Sequence, residues 1–220
     1  MTDDFFEANV AQLSLEFPSI KEIAIASKSF LYHQGDSSVY AYWIKSGIVK
    51  LSHLTAQGTE ITTALLKKGE VVGYSPSHAE PHTMEETAQA IGDVQCYCMS
   101  HNDFKAMLLL HPQLLWPVFE KTYARKQKTE RKLRTILTQP VEIRLATTLL
   151  ELAEMFGIQC SHGYALEIHL TQQDVADLIG ASRSVVSTHL NNFRNSGILD
   201  YTRDQICIND VALINAYHQM

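Results

Sequence analysis

The sequence contains no run of about 18 apolar residues, so it offers no membrane-spanning helix. Its first ten residues are acidic where a secretion signal would be basic and then apolar, which predicts a cytoplasmic protein. Cysteine is scarce: Cys96, Cys98, Cys160 and Cys207 are too few and too scattered for a disulfide framework, and reduced thiols fit that compartment. A Ser/His/Asp order, a metal-binding helix motif and a phosphate-cradling glycine loop with lysine are all missing. No enzyme, metal site or cofactor is therefore expected. Positive charge is also in deficit, with a net charge of −6, which at first argues against a nucleic-acid partner.

The distribution of charge says more than its sum. Residues 1–119 carry 7 basic and 13 acidic side chains, residues 120–139 carry 7 and 2, and residues 140–220 carry 4 and 9. Within the acidic last third, Ala181–Leu199 has no Asp or Glu and contains Arg183 and Arg194. A DNA-facing surface needs such a window, because a carboxylate near a phosphate costs Coulomb energy.

Ile23 to Met99 reads as short strands between turn signals: Ser29–Tyr32, Val39–Ile44, Ile48–Leu54, Ile61–Leu66 and Thr87–Ser100. The corners fall at His33-Gln34-Gly35-Asp36, Lys45-Ser46-Gly47, Gln57-Gly58 and Lys67-Lys68-Gly69-Glu70. This spacing predicts a β-sandwich or barrel, with the polar stretch Ser75–Glu86 as a loop. Ser100 and Asp103 fit the N-cap and N3 positions of a short helix. A long helix is expected from about Gln113 to Gln139. In it Trp116, Phe119, Tyr123, Lys126, Glu130, Leu133 and Leu137 recur at spacings of three and four, a coiled-coil seam with a charged middle. A helix of about 25 residues spans roughly 37 Å and cannot bury that stripe against one small domain, so a second copy is the expected partner. Pro140 breaks the helix. Val141–Phe156 then reads as an amphipathic helix and Gly157–Leu170 as a hairpin.

The most informative stretch follows. Thr171 caps a helix with Asp174 near its N-terminal dipole, and Val175, Ala176, Leu178 and Ile179 form its buried face. Gly180 supplies the left-handed turn. Ser182 caps a second helix with Val186, His189 or Leu190, and Phe193 turned inward; Gly197 closes it, and Ile198–Ile208 alternates around Thr202-Arg203-Asp204 as a β-wing. Helix, short turn, helix and wing make a winged helix-turn-helix, a reader of double-stranded DNA.

The stretch LTQQDVADLIGASRSVVSTHLNNFRNSGIL resembles the helix-turn-helix of the CRP/FNR family of bacterial regulators. HQGD, YWIKSGIVKL, QGTEI and KKGEVVGY are similar to the strands and turns of that family's β-roll. The resemblance implies an α+β chain of three parts: a β-roll sensor (1–112), a dimerisation helix (113–139) and a winged helix-turn-helix (140–220). It implies a homodimer that regulates transcription, with RNA polymerase as a further partner. Carried over position by position, the family's base-reading side chains fall on Arg183, Ser184 and Thr188. Arg183 keeps a guanine reader, but Ser184 stands where Glu is usual and Thr188 where Arg is usual, so the operator should depart from the family's common half-site. Thr171, Gln172, Gln173 and Ser182 are expected at phosphates. A different reading, a ligand-binding dimer whose C-terminal domain docks a protein, draws on the acidity of residues 140–220.

The resemblance also bears on the effector. Family members that bind cyclic AMP carry Gly-Glu-Leu and, several residues on, Arg-Ser to neutralise the phosphate. Here the stretches are Gly73-Tyr74-Ser75-Pro76 and Met84-Glu85-Glu86-Thr87-Ala88, without the Arg and with carboxylates beside its place. The adenine-contacting Thr-Ser pair falls on Thr129-Glu130. Cyclic AMP is thus not expected to bind. Iron–sulfur sensing needs an N-terminal cysteine cluster, and no Cys precedes Cys96. Cys96 and Cys98 share one strand face and read as core cysteines; a metal role would need His78, His82 or His101 nearby. Haem binding through a histidine stays open. Arg125 and Lys126 of paired helices would repel each other unless Glu130 of the partner subunit or a small anion, such as a dicarboxylate, lies between them.

Overall fold

The computed structural model describes residues 4–74, 83–160, 163–166, 168–201 and 206–209. The chain forms two compact units, Met1–Thr129 and Glu130–Met220.

In the first unit, β1 (Lys21–Ile25), β2 (Phe30–Tyr32), β3 (Tyr40–Leu54), β4 (Glu60–Leu66), β5 (Val71–Val72) and β6 (Thr87–Ser100) form one antiparallel sheet. The order runs β1-β6-β3-β4, with β2 on β6 and β5 on β3. One side of the roll is a core of Tyr32, Ile44, Val49, Leu51, Leu66, Ala88, Val94 and Cys96. The expected corner at Lys45-Ser46-Gly47 is not a corner. β3 runs on through it, and the pairing with β6 slips on either side of Ser46. Gly47 adopts φ 86°, and a Cβ there would meet Val94 Cα at 2.9 Å. The glycine signal was real, but it marks a bulge in a long strand.

An N-terminal helix that no local signal marks, α1 (Asp4–Glu16), buries Phe6 and Leu13. Phe6 stacks on Trp43 with ring centroids 4.3 Å apart. With Phe17, Tyr97, Met99, Phe104, Met107 and Leu114 they make the second core of this unit. Ser100 caps α2 (His101–Leu110) by accepting from Asp103 N at 3.1 Å, as its spacing predicts. α3 (Pro112–Thr138) is the long helix, 27 residues.

The second unit holds α4 (Val141–Phe156), α5 (Gln172–Ile179) and α6 (Arg183–Asn195), with an antiparallel sheet ordered β7 (Gly157–Cys160), β8 (Gly163–Leu166), β10 (Ile206–Ile208), β9 (Leu199–Tyr201). Leu145, Leu149, Leu152, Leu166, Val175, Ile179, Val186, Leu190 and Phe193 are buried in it. The α4 bounds and the β7–β8 hairpin agree with the sequence reading. The wing strands pair as expected, while its tip, Thr202-Arg203-Asp204, lies outside the described residues.

Candidate nucleic-acid interface

The α5–α6 pair is fixed locally by its own side chains. Thr171 Oγ1 accepts from Asp174 N at 3.1 Å, while Asp174 Oδ2 accepts from Thr171 N at 2.9 Å, a reciprocal cap. Gly180 takes φ 63°, ψ 49°, the left-handed turn that lets α6 start at a new angle. Ser182 Oγ accepts from Val185 N at 3.4 Å and caps α6. Val186, Leu190 and Phe193 turn inward. Of the two inward candidates, Leu190 is the core residue; His189 is half-buried, and its Nδ1 is buried without a partner among the described residues.

The outward face of α6 carries the proposed readers. Arg183, Ser184 and Thr188 are all exposed, as is Asn191. Arg183 has no ion pair among the described residues. Ser184 Oγ lies 3.0 Å from Ser182 Oγ, so the two hydroxyls share a hydrogen bond at the start of the helix. Thr188 Oγ1 donates to Ser184 O at 3.0 Å, which spends its proton on the backbone and leaves its methyl and a lone pair to face outward. Arg194, the other cation of the acid-free window, is tied down: its Nε sits 3.1 Å from Asp200 Oδ1 on β9. Of the residues expected at phosphates, Thr171 and Ser182 use their hydroxyls as caps, and Gln173 Nε2 donates to Asp177 Oδ1 at 2.7 Å. Gln172 is half-buried. Sequence reasoning passed over Val185, an apolar side chain 38% exposed beside Ser184 on this face.

The residues expected to form a seam on α3 stand open in the single chain. Trp116 is 61% exposed and Leu137 74%, with Phe119, Tyr123 and Leu133 also exposed. Trp116, Phe119 and Tyr123 run along one stripe, with centroids 5.4 and 6.1 Å apart in succession, and Lys126 Nζ lies 5.8 Å from the Tyr123 ring.

In the β-roll, Glu86 is half-buried. Tyr32 Oη donates to Glu86 Oε1 at 3.3 Å. Burial raises the Glu86 carboxyl above the usual range, while the nearby Arg125 guanidinium and the Tyr32 hydrogen bond oppose the rise. Arg125 Nη1 also donates to Val71 O at 3.4 Å. Arg125 is therefore engaged by its own chain. Burial, chiefly, pushes the Tyr42 hydroxyl up to about 12 and the Cys96 thiol up to about 12. Cys96 lies in the core and Cys98 packs against it. Among the described residues no group of three or more His, Cys, Asp or Glu side chains could hold a metal. His101 Nε2 is 3.0 Å from Gly73 O, and Ser75, Pro76, His78 and His82 lie outside the described residues. Among the described residues no helix is long and apolar enough to cross a membrane.

Comparison with known proteins agrees with this layout. A cyclic nucleotide-binding domain model matches residues 22–111, and a Crp-like helix-turn-helix domain model matches residues 143–217. The global nitrogen regulator of Synechocystis sp. is 28% identical over 198 residues, covering 89% of this chain and 88% of the relative. The cAMP-activated global transcriptional regulator CRP of Salmonella typhimurium is 25% identical over 79% of this chain and 82% of its own length. FixK2 from Bradyrhizobium japonicum shares the fold, with a TM-score of 0.76 at 20% identity over 89% of this chain and 96% of that one. With both domain types present in the family's order, the chain belongs to the CRP/FNR family of DNA-binding transcription regulators.

Proposed function

We propose that this regulator works as a cytoplasmic homodimer, with residues 1–112 as sensor, 113–139 as dimerisation helix and 140–220 as DNA-binding domain. Two copies join along Trp116, Phe119, Tyr123, Lys126, Glu130, Leu133 and Leu137. Each α6 enters a major groove of operator DNA, where Arg183, Ser184 and Thr188 meet base edges, and Thr171, Gln172, Gln173 and Ser182 approach phosphates. RNA polymerase is the further partner this role requires. The observation that carries the reading is the outward face of α6: exposed, free of acidic side chains, and led by an Arg183 that has no ion pair among the described residues, on a doubly capped helix-turn-helix.

The test is selection of binding sites from random DNA, followed by gel shifts on the selected operator across a salt series. Affinity should fall steeply with salt, and Arg183→Ala should cost about 1–3 kcal/mol and relax the preference at one guanine. Unchanged affinity and selectivity in that variant would sink the reading. So would recovery of the family's common half-site unaltered, because neither Ser184 nor Thr188 can reproduce the pairings of Glu and Arg.

The sensor is proposed not to respond to cyclic AMP. Glu86 stands half-buried in the roll, hydrogen-bonded by Tyr32 and beside Arg125. A cyclic phosphate would meet that carboxylate where a cation is needed, and the guanidinium is already shared with Glu86 and Val71 O. Isothermal titration with cyclic AMP should give no binding heat; micromolar binding would overturn this part.

A further inference from the structure

Within the second unit, the last turns of α3, one side of α4 and the end of α5 enclose a partly open cavity of about 50 Å³. Lys132 and Ile136 line it from α3, Arg144, Thr148 and Glu151 from α4, and Ile179 from α5. Positions 144, 148 and 151 lie four and three apart, so they share one face of α4. Lys132 and Ile136 stand four apart on α3, and neither belongs to the seam proposed for dimerisation. None of these six is among the residues proposed to meet DNA. Ile136 and Arg144 also converge at Gly180, where a Cβ would lie 3.9 Å from Ile136 Cδ1 and 3.7 Å from Arg144 Nη1.

The lining has more cation than anion. Lys132 and Arg144 bring two positive charges, Glu151 one negative. Arg144 is half-buried and makes no ion pair among the described residues. Its Nη1 donates to the carbonyls of Ile179 and Gly180, which leaves Nη2 without a partner among the described residues. Thr148 Oγ1 also has no hydrogen bond among them, whereas Thr147 Oγ1 donates to Ile143 O at 2.9 Å. Two donors therefore line the cavity with nothing to receive them. Lys132 and Glu151 are already engaged, but an ammonium has three donors and a carboxylate about four acceptor positions, so each can serve a further group.

We propose that this cavity binds one small, singly charged planar oxyanion, and that bicarbonate is the member of that class it fits best. At roughly 10–15 Å³ per water-sized group, about 50 Å³ admits about four non-hydrogen atoms. That is the size of bicarbonate or nitrate and well below that of a nucleotide. A single negative charge balances the excess in the lining, whereas a dianion would be repelled by Glu151. The oxygens accept charge-assisted hydrogen bonds from Arg144 Nη2 and Lys132 Nζ and a third from Thr148 Oγ1. Bicarbonate also carries an O–H, which donates to the Glu151 carboxylate. Nitrate has no such donor and leaves Glu151 facing negative oxygens. The bound anion joins the end of α3 to α4 and stabilises the folded second unit.

The test is urea unfolding of the full-length protein in sealed cells at pH 7, where Lys132, with its pKa lowered to about 8, is still charged. Sodium bicarbonate replaces sodium chloride stepwise at constant ionic strength, and sodium nitrate does so in a parallel series. The unfolding midpoint should rise with bicarbonate and level off, as binding to the folded state alone requires. Nitrate should need a several-fold higher concentration for half its effect. Thr148→Val keeps the side-chain shape and removes the hydroxyl, so it should raise the half-saturating bicarbonate concentration several-fold. Lys132→Met should abolish the saturable rise. The midpoint of each variant in chloride alone reports that it folds. A midpoint that does not respond to either anion would overturn the proposal, as would a rise that never saturates or that persists unchanged in both variants. Nitrate acting at the same concentrations as bicarbonate would overturn the choice of bicarbonate and the role given to Glu151.

Discussion

Arg144 on α4 donates from Nη1 to the carbonyl of Ile179 at 2.8 Å and to that of Gly180 at 3.2 Å. Those carbonyls end α5, at the turn that aims α6. A cation at the C-terminal end of a helix meets the negative end of its dipole and satisfies acceptors that have no intrahelical partner. Its Nε is buried without a partner among the described residues, so the guanidinium has been partly desolvated to reach this position. Arg144→Met should destabilise the protein by about 1–3 kcal/mol, since hydrogen bonds to charged groups are lost and two carbonyls are orphaned. Chemical denaturation measures that loss. Operator affinity should fall even at temperatures where the variant is fully folded, with the preferred sequence unchanged, because Arg144 positions the reading helix without touching DNA. Arg144→Lys should recover only part of the stability, as one ammonium cannot reproduce the fork.

The α3 stripe makes a cleaner test of assembly than a core substitution would. Phe119 and Leu133 are 53% and 56% exposed in the single chain, so replacing either with Asp should cost the protomer little. In a coiled seam each Asp would face its own copy in a desolvated environment. Phe119→Asp and Leu133→Asp should therefore lower the mass seen by light scattering from dimer to monomer, with the far-ultraviolet circular dichroism retained. Operator affinity should collapse with it, because half-sites one helical turn apart need linked reading helices. A variant that remains dimeric would move the interface away from this stripe.

How much of this was visible in the sequence depends on how far each signal reaches along the chain. The helix-turn-helix was legible because its determinants are local: Thr171 with Asp174, Gly180, and Ser182 at the head of α6. The β-roll was legible in outline, but Gly47 fits a turn and a bulge equally well until the β6 partner is known. α1 was hidden because Phe6 and Leu13 are spaced too sparsely to mark a face, and their burial depends on Trp43 and other residues far along the chain. Glu86 was noticed as a carboxylate beside the place of a missing arginine. Its partial burial and its bond from Tyr32, 54 positions away, are tertiary facts.

On the function proposed above, Val185 should add a reader that the family pattern did not suggest. It sits in the first turn of α6, next to Ser184 and three residues before Thr188, where helix residues meet base edges. An exposed valine there can bury its methyls against the C5-methyl of thymine. One buried methyl-sized group contributes about 0.8 kcal/mol, or about fourfold in affinity. Val185→Ala should weaken binding to the selected operator by about that factor. Replacing the contacted thymine with deoxyuridine should cost the wild-type protein the same factor and cost the alanine variant nothing. Equal sensitivity of both proteins to the missing methyl would assign the contact elsewhere.

Lys132 on α3 gives the DNA-binding unit a pH dependence whose sign can be worked out in advance. It lines a small cavity with Thr135, Arg144, Thr148 and Glu151. Burial lowers its pKa to about 8, with Glu151 pulling the other way. Between about pH 8 and the unfolded value near 10.4, the unfolded chain holds a proton that the folded chain has released, so this group makes stability rise with pH. Below pH 8 both states are charged and the penalty of burying the ammonium is constant. The thiols of buried Cys96 and half-buried Cys98 act in the opposite direction, since their raised pKa values let the folded state keep protons that the unfolded state loses. The informative quantity is therefore the difference between wild type and Lys132→Met in urea midpoint. The variant should be the more stable at pH 7, and the gap should close as pH approaches 10. A gap that stayed constant with pH would mean that Lys132 keeps an ordinary pKa, held in water or fully compensated by Glu151.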